Sequence, residues 1–375
     1  MMKRNEIRKA YGSEYKENTR RLLDEAGLCG RIKDRGNPGI LIKPNLFSCV
    51  PAEFGATTHT GIIAGIMEYL LDNGLRDIVI AEGSWVGDRT EEAFDILGYR
   101  RLSEYYGVRL LDTKTDGFYT ADCSGLSLKI CNIVRETGFL INVPVLKGHC
   151  QTKVTCALKN MKGLIPDDEK RHFHTMGLHR PIACLNTHIR QDFIVTDHIC
   201  GDPDFEEGGN PVQRDCVMAA LDPVLNDAYA AQLLGYQPEE IEYIRLSQEL
   251  GTGCADPAEA EIRTICGEER EELPRTRRML EVSYDVRDID SCSACYSALT
   301  GALERLEKDG LSELLSDRIC IGQGWAGKKG RLGVGNCTGD FEINIPGCPP
   351  DADAIYRKLR ELAEYRANRN PEGIC

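Results

Sequence analysis

The sequence predicts an α/β protein: a mixed, largely parallel sheet flanked by helices, followed by a small C-terminal Cys-rich cluster module. Two observations predict the first part. Short apolar runs bounded by Gly, Pro or Asn recur along the chain, and they alternate with stretches whose apolar residues repeat at helical spacing. The second part follows from Cys292-Ser-Ala-Cys295 and two further spaced cysteines in a glycine-rich tail.

The elements follow in order. A polar helix spans Ser13 to Ala26, and Gly39 to Lys43 (GILIK), between Pro38 and Pro44, reads as a buried strand. Thr60 to Leu71 is a helix with apolar residues at Ile62, Ile63, Ile66, Met67, Leu70 and Leu71, ended by Asn73-Gly74. Asp77 to Ala81 is a strand and Glu91 to Leu97 a helix. Val108 to Leu111, Leu126 to Val134 and Gly138 to Val145 are strands, the last two a candidate hairpin that would make the sheet mixed. Val154 to Lys162 reads as a helix, Phe193 to Thr196 as a strand, and Pro223 to Leu234 and Pro238 to Leu250 as helices. The charged stretch Gly267 to Arg278 reads as a surface connection, which divides the chain into an α/β domain, 1–285, and a module, 286–375. No internal repeat stands out.

At 375 residues, with 42% hydrophobic and 28% charged residues, the composition is that of an ordinary globular protein. A net charge of −13 argues against nucleic acid or anionic lipid as main partner, yet leaves room for a local basic pocket taking a small acidic substrate. No apolar run approaches the roughly 20 residues of a membrane helix, and Met1 to Gly12 lacks a signal-peptide core. The expectation is a cytoplasmic chain without membrane contact; its oligomeric state is not legible. Disulfides are disfavoured in that compartment, so among the 17 cysteines the closely spaced ones point to metal or redox chemistry. Such a thiol load suits a cell that meets little oxygen.

Cys292, Cys295, Cys337 and Cys348 are the candidate ligands of one [4Fe–4S] cluster, one thiolate per iron. The two-residue spacer lets one turn present two sulfurs, and the glycines between Gly322 and Gly339 let backbone N–H groups approach. Zinc is the alternative, but only one Cys-x-x-Cys pair is present. Cys320 is a substitute ligand by proximity in sequence, and Cys375 lies at the chain end.

Ligands of open parallel sheets bind at the strands' carboxyl ends. There the sequence places Lys43, Pro44 and Asn45; Glu82, Gly83 and Ser84; Lys147, Gly148 and His149; and Asp197 and His198. Thr57, Thr58 and His59 precede the Thr60 helix, where free N–H groups suit an acid group, although helix capping alone accounts for threonines there. Thr155, Lys159 and Lys162 share a helical stripe, and with Lys147 and Lys153 they concentrate positive charge in an acidic protein; a solvated face is the plainer alternative. Val154, Leu158 and Met161 form the core stripe of the same segment. Six of the seven histidines fall between His149 and His198, and His172 and His174 would share a face only in an extended segment.

The ordered segments LIKPN, TTHTG, IVIAEGS, NVPVLKGH, KVTCALKNMKGLIPDDEKRHFH and DPVLNDAYAAQLLGY resemble the domain-of-unknown-function 362 family over about residues 38–250, in its variant with a C-terminal cluster. The resemblance implies the fold and the cluster and leaves the reaction open. His59-Thr60 stands where the family has His-Pro. A fainter likeness, in strand-end layout and His and Lys placement, is to nickel-pincer lactate racemases. Gly347-Cys348-Pro349-Pro350 resembles a cluster-ligand motif in small subunits of complex I and nickel–iron hydrogenases.

The leading expectation is an oxidoreductase whose cluster relays electrons, from a ferredoxin-like donor, to a small anionic substrate in the strand-end crevice. His149, His59 and Lys147 are the candidate catalytic groups. Lys43, Asn45, Thr58, Glu82, Ser84, Thr155, Lys159, Asn160 and Asp197 are the candidate substrate-binding groups. The alternatives are a non-redox lyase, dehydratase or isomerase with a Lewis-acid or structural cluster, and an electron carrier or scaffold without substrate. No G-x-G-x-x-G follows a strand, which disfavours a Rossmann nucleotide site.

Overall fold

Alternation of side chains along buried strands sets the layers of the N-terminal unit. The computed structural model describes residues 2–269, 282, 283, 285–315 and 317–367. Contacts divide the chain into Met1–Arg275 and Thr276–Cys375. Residues 270–278 of the charged connection, and Cys375, lie outside the described residues.

In chain order the first unit contains β1 (Glu6–Tyr11), β2 (Ile40–Pro44), β3 (Ile78–Glu82), β4 (Arg109–Asp112), β5 (Phe118–Cys123) and β6 (Leu126–Cys131). Then come β7 (Phe139–Val143), β8 (Lys147–His149), β9 (Lys153–Thr155), β10 (Phe193–His198), β11 (Cys216–Ala220) and β12 (Glu261–Cys266). Eight form one sheet in the order β12-β1-β11-β10-β7-β2-β3-β4. The run from β10 to β4 is parallel throughout. Successive side chains face opposite sides. Ile40, Ile42, Ile78, Ile80, Ile141 and Val195 meet the helices Tyr15–Ala26 and Thr60–Asp72. Leu41, Val79, Ala81, Leu140 and Ile194 meet the helices His179–His188 and Pro223–Leu233. Each such large apolar side chain contributes about 1.5–3 kcal/mol by leaving water.

The sheet is mixed, but not through Leu126–Val145. β11 runs antiparallel to both β1 and β10. β6 instead pairs with β5 in a separate hairpin. Its turn, Ser124 and Gly125, has φ of 51° and 85°, the left-handed pair that a two-residue hairpin requires. Val154 to Lys162 is not one helix either. β9 takes Lys153 to Thr155, and the helix starts only at Ala157, because the distant Asp227 carboxylate accepts from the N–H groups of Ala157 (2.8 Å) and Leu158 (3.0 Å). Thr155, Lys159 and Lys162 are therefore no helical stripe. Pro238 to Leu250 likewise divides into a short 3₁₀ turn and a helix, Glu242–Glu249.

β7 is tied to this segment by buried amides. Asn142 Nδ2 donates to Ala157 O (3.0 Å) and Gln191 Oε1 (2.7 Å), and Asn142 Oδ1 accepts from Asn160 Nδ2 (2.7 Å).

In the second unit β13 (Val286–Asp288), β14 (Ile319–Ile321), β15 (Leu332–Val334) and β16 (Ile343–Ile345) form a four-stranded parallel sheet. Ile319, Ile321, Leu332, Val334 and Ile345 pack with Leu299 and Leu306 of the helix Ser293–Lys308 and Leu359 of the helix Ala352–Ala367.

Asn142→Leu keeps the volume but removes three buried hydrogen bonds and strands Gln191 Oε1, which alone costs about 1–3 kcal/mol. The urea midpoint should fall by the equivalent of about 2–4 kcal/mol; an unchanged midpoint would show that the amides do not hold β7.

Candidate functional site

A buried ammonium has three N–H donors and must satisfy them locally. Lys43, on β2, is fully buried and donates to Glu82 Oε2 (2.7 Å), Pro44 O (2.8 Å) and Asn160 Oδ1 (3.3 Å). Glu82, at the end of β3, also accepts from the N–H groups of Leu46 (2.9 Å) and Gly83 (2.7 Å). Burial holds the Lys43 pKa below its ordinary value even though Glu82 pulls it up. Only glycine fits beside the pair: a Cβ on Gly163 would stand 1.9 Å from Glu82 Oε1 and 2.5 Å from Lys43 Nζ. Lys43 and Glu82 thus neutralise each other inside the protein. Ser84 donates to Leu46 O (2.7 Å), while Thr58 donates to Val143 O (2.8 Å) and accepts from Asn45 N (2.8 Å), so both hydroxyls tie strand ends together.

Asp197, near the end of β10, accepts from His59 N (2.8 Å) and faces His59 Nδ1 at 2.9 Å. Burial opposes charge on the imidazole, but the Asp197 carboxylate and its hydrogen bond prevail and raise His59 to about 10. Its Nε2 lies 3.7 Å from Cys200 Sγ. Asp197 is the partner of an imidazolium.

A second charged node lies around Glu206, in the loop between β10 and β11. Lys147 is fully buried and donates to Glu206 O (2.9 Å), Asn45 Oδ1 (3.5 Å) and Ala56 O, with the Phe47 ring 4.0 Å from its Nζ. Having two carbonyls and an amide but no carboxylate in contact, Lys147 is pushed by burial down to about 7, against the pull of Glu206. Lys159 donates to Glu206 Oε1 and Thr155 Oγ1 (3.1 Å). His149 Nδ1 accepts from the N–H groups of Gln151 (3.0 Å) and Thr152 (3.1 Å), which places the ring hydrogen on Nε2, 3.1 Å from Glu206 Oε2. Burial and the neighbouring Lys159 hold His149 neutral, at about 4. Burial also opposes the charge of Glu206, but Lys159, His149 and Lys147 hold its carboxyl well below the usual range.

The structure therefore brings the strand-end residues into one linked network: Lys43, Glu82 and Asn160 at one node, Lys147, His149, Thr155 and Lys159 at the other, with Asn45 and Thr58 between. Lys153, a third exposed, lies by Glu240 instead. His172 and His174 sit on a helix, Asp167–Thr175, so they do not share a face; His172 pairs with Glu169, and His174 lies within electrostatic reach of Lys162, His149 and Lys159. His198 lines a separate cavity of about 30 Å³ with Lys9, Tyr11 and Arg214. Sequence reasoning missed Glu206 and Cys200. A lone acid in a polar loop gives no periodic signal, and Cys200 has no spaced partner cysteine.

The thiols follow the small sheet. Parallel strands end on one edge, and Cys292, Cys337 and Cys348 follow the ends of β13, β15 and β16. Cys292 is the N-cap of the helix Ser293–Lys308, and Cys295 lies in its first turn. Cys292, by hydrogen bond, and burial raise the Cys295 thiol most; the charges of Cys348 and Cys337 add to it. Cys337 is raised by burial, Cys292 and Cys348. Cys295 and Cys337 thus each lie within electrostatic reach of Cys292 and Cys348. Among the described residues, no three His, Cys, Asp or Glu side chains are placed to hold a single metal ion. A [4Fe–4S] cube asks for a wider tetrahedron than one zinc ion, and the helix N-terminus favours the negative charge that thiolates bring. Four thiols on neighbouring elements are the donor chemistry that such a cluster takes. Cys320 stands in mid-strand, opposite Arg287 and Gly333, and burial alone raises it.

The raised pKa of His59 has a sign that can be tested. Its stabilisation is fully present below the unfolded value near 6.5 and is lost as pH rises through about 10. Asp197→Asn should cost about 3–5 kcal/mol at pH 6, and the difference from wild type should shrink towards pH 10. A difference independent of pH, from paired denaturant melts, would show that His59 is not charged in the fold.

The profile of the family described as Domain of unknown function (DUF362) matches residues 40–232, just over half of the chain. A thylakoid-associated protein of Synechocystis is 23% identical over 155 residues, covering 41% of this chain and 47% of that protein, so the chain spans about half the length of this curated relative. Among solved structures, the lactate racemase apoprotein from Thermoanaerobacterium thermosaccharolyticum shares 13% identity at a TM-score of 0.41, over 63% of this chain and 57% of that one. A Thermotoga maritima protein shares 16% identity at a TM-score of 0.36, over 64% and 60%. No helix among the described residues is long and apolar enough to cross a membrane. With its profile covering the strands and loops that carry the strand-end network, the chain belongs to the DUF362 family.

Proposed function

We propose that this chain is a cytoplasmic iron–sulfur oxidoreductase that acts on a small anionic molecule in the strand-end crevice. The observation that carries the proposal is the convergence of Cys292, Cys295, Cys337 and Cys348 at one edge of the small sheet. One [4Fe–4S] cluster would supply single electrons there. Four thiols rather than three favour a relay role over an open Lewis-acid iron. A ferredoxin-like protein is the donor class that such a relay would accept, and the net charge of −13 disfavours nucleic acid as a partner.

The residues of the crevice divide the remaining work. Lys147 and Lys159 offset the charge of the bound anion, and the neutral His149 offers it an N–H. His59 holds a proton against Asp197 and is the acid of the site, while His149 stays neutral, so two imidazoles are driven to opposite states by their surroundings. Lys43 and Glu82 brace the strand ends.

Two outcomes are expected. Anaerobically purified Cys348→Ala should lose most of its iron and sulfide, whereas Cys184→Ala, altered at a buried core thiol, should keep them; equal loss or equal retention would refute the ligand set. An anion binds best while Lys147 carries its proton, so the thermal shift given by malonate should weaken as pH rises through about 7. Lys147→Met should abolish that pH dependence. A shift with the same pH profile in both proteins would remove Lys147 from the site.

A further inference from the structure

Glu206 belongs to neither a strand nor a helix, yet its carboxylate lies where the positive charge of the crevice converges. Lys159 donates to Oε1, His149 Nε2 is 3.1 Å from Oε2, and the residue's own carbonyl accepts from Lys147. A carboxylate thus already sits in an anion seat, supplied by the chain itself.

Two observations show that the fit is incomplete. His149 Nε2 carries the ring hydrogen and is buried, and Glu206 Oε2, 3.1 Å away, does not give it a well-formed hydrogen bond. His174 Nδ1, the neighbouring imidazole, is likewise buried without a partner. Native interiors rarely leave such nitrogens unmade. Nor does the loop need the Glu206 contacts for its own shape. Asp202 accepts from the N–H groups of Asp204 (2.9 Å), Phe205 (2.9 Å) and Asn210 (2.8 Å), and Gly209 N donates to Phe54 O (2.9 Å).

We propose that Glu206 is an internal competitor: a ligand carboxylate takes the place of its side chain on Lys159 and His149 and displaces it from the crevice. The inference rests on the anion-binding reading of the crevice, and adds the chemical class of the ligand and the group that it must expel. A planar carboxylate suits this arrangement, one oxygen on the Lys159 ammonium and the other on the ring N–H that Glu206 leaves poorly satisfied. A tetrahedral phosphate would bring further oxygens for which this contact offers no donor.

The test is calorimetric titration of the full chain with malonate and with inorganic phosphate, for wild type, Glu206→Ala and Glu206→Gln. The second variant keeps the volume should the first fail to fold. Removing the competitor raises the fraction of open seats, so both variants should bind malonate at least about tenfold tighter than wild type. Malonate bound no tighter by Glu206→Gln than by wild type overturns the inference and leaves the crevice reading standing. Phosphate bound more tightly than malonate by that variant overturns the carboxylate class. No anion bound by any of the three proteins overturns both the inference and the crevice reading.

Discussion

Burying lysine at the ends of parallel strands is the constraint from which the rest of the strand-end network follows. An ammonium removed from water must find acceptors for three N–H groups or surrender its proton. The three lysines meet this demand differently. Lys43 takes a carboxylate, a carbonyl and an amide and becomes structural. Lys159 takes a carboxylate and a hydroxyl. Lys147 takes two carbonyls and an amide, and burial pushes it down to about 7. The requirement for glycine at 163, the amide chain through Asn142 and the carboxylate of Glu206 are consequences of satisfying these charges.

The convergence of strand-end residues was legible because a parallel sheet has only one carboxyl edge. Any polar residue that follows a buried apolar run must arrive there, and Lys43, Glu82, Lys147 and Asp197 do. The partners that set their chemistry were not legible. Glu206 comes from a loop with no period, and Asp227 caps a helix 70 residues before it in sequence. β1 was missed for a related reason: EIRKAY reads as a charged surface stretch, yet Arg8 is paired with Glu6 and Lys9 with Glu269, and the strand is buried. The expected Val154 helix failed where a distant carboxylate decided the helix start.

The C-terminal unit also shows a recurrence that the sequence conceals. Ile319, Leu332 and Ile343 are in register on β14, β15 and β16. The third residue after each strand is Gly324, Cys337 and Cys348 in turn. The turns read Gly-Gln-Gly, Gly-Asn-Cys and Pro-Gly-Cys, too dissimilar to be recognised as a repeat without the backbone. The expectation of no internal repeat is corrected at this short scale. The geometry also gives the long gap between Cys295 and Cys337 a cause: the rest of the helix and two strands, β14 and β15, must be built before the next thiol reaches the same edge.

Two groups of side chains are thus placed by the same device, parallel strands that end together, once for charged side chains and once for thiols. The most direct test of this account is electron paramagnetic resonance of the anaerobically purified full chain after reduction with dithionite. The spectrum should show one reduced [4Fe–4S] cluster per chain. A silent spectrum from protein that holds stoichiometric zinc in place of iron would contradict it.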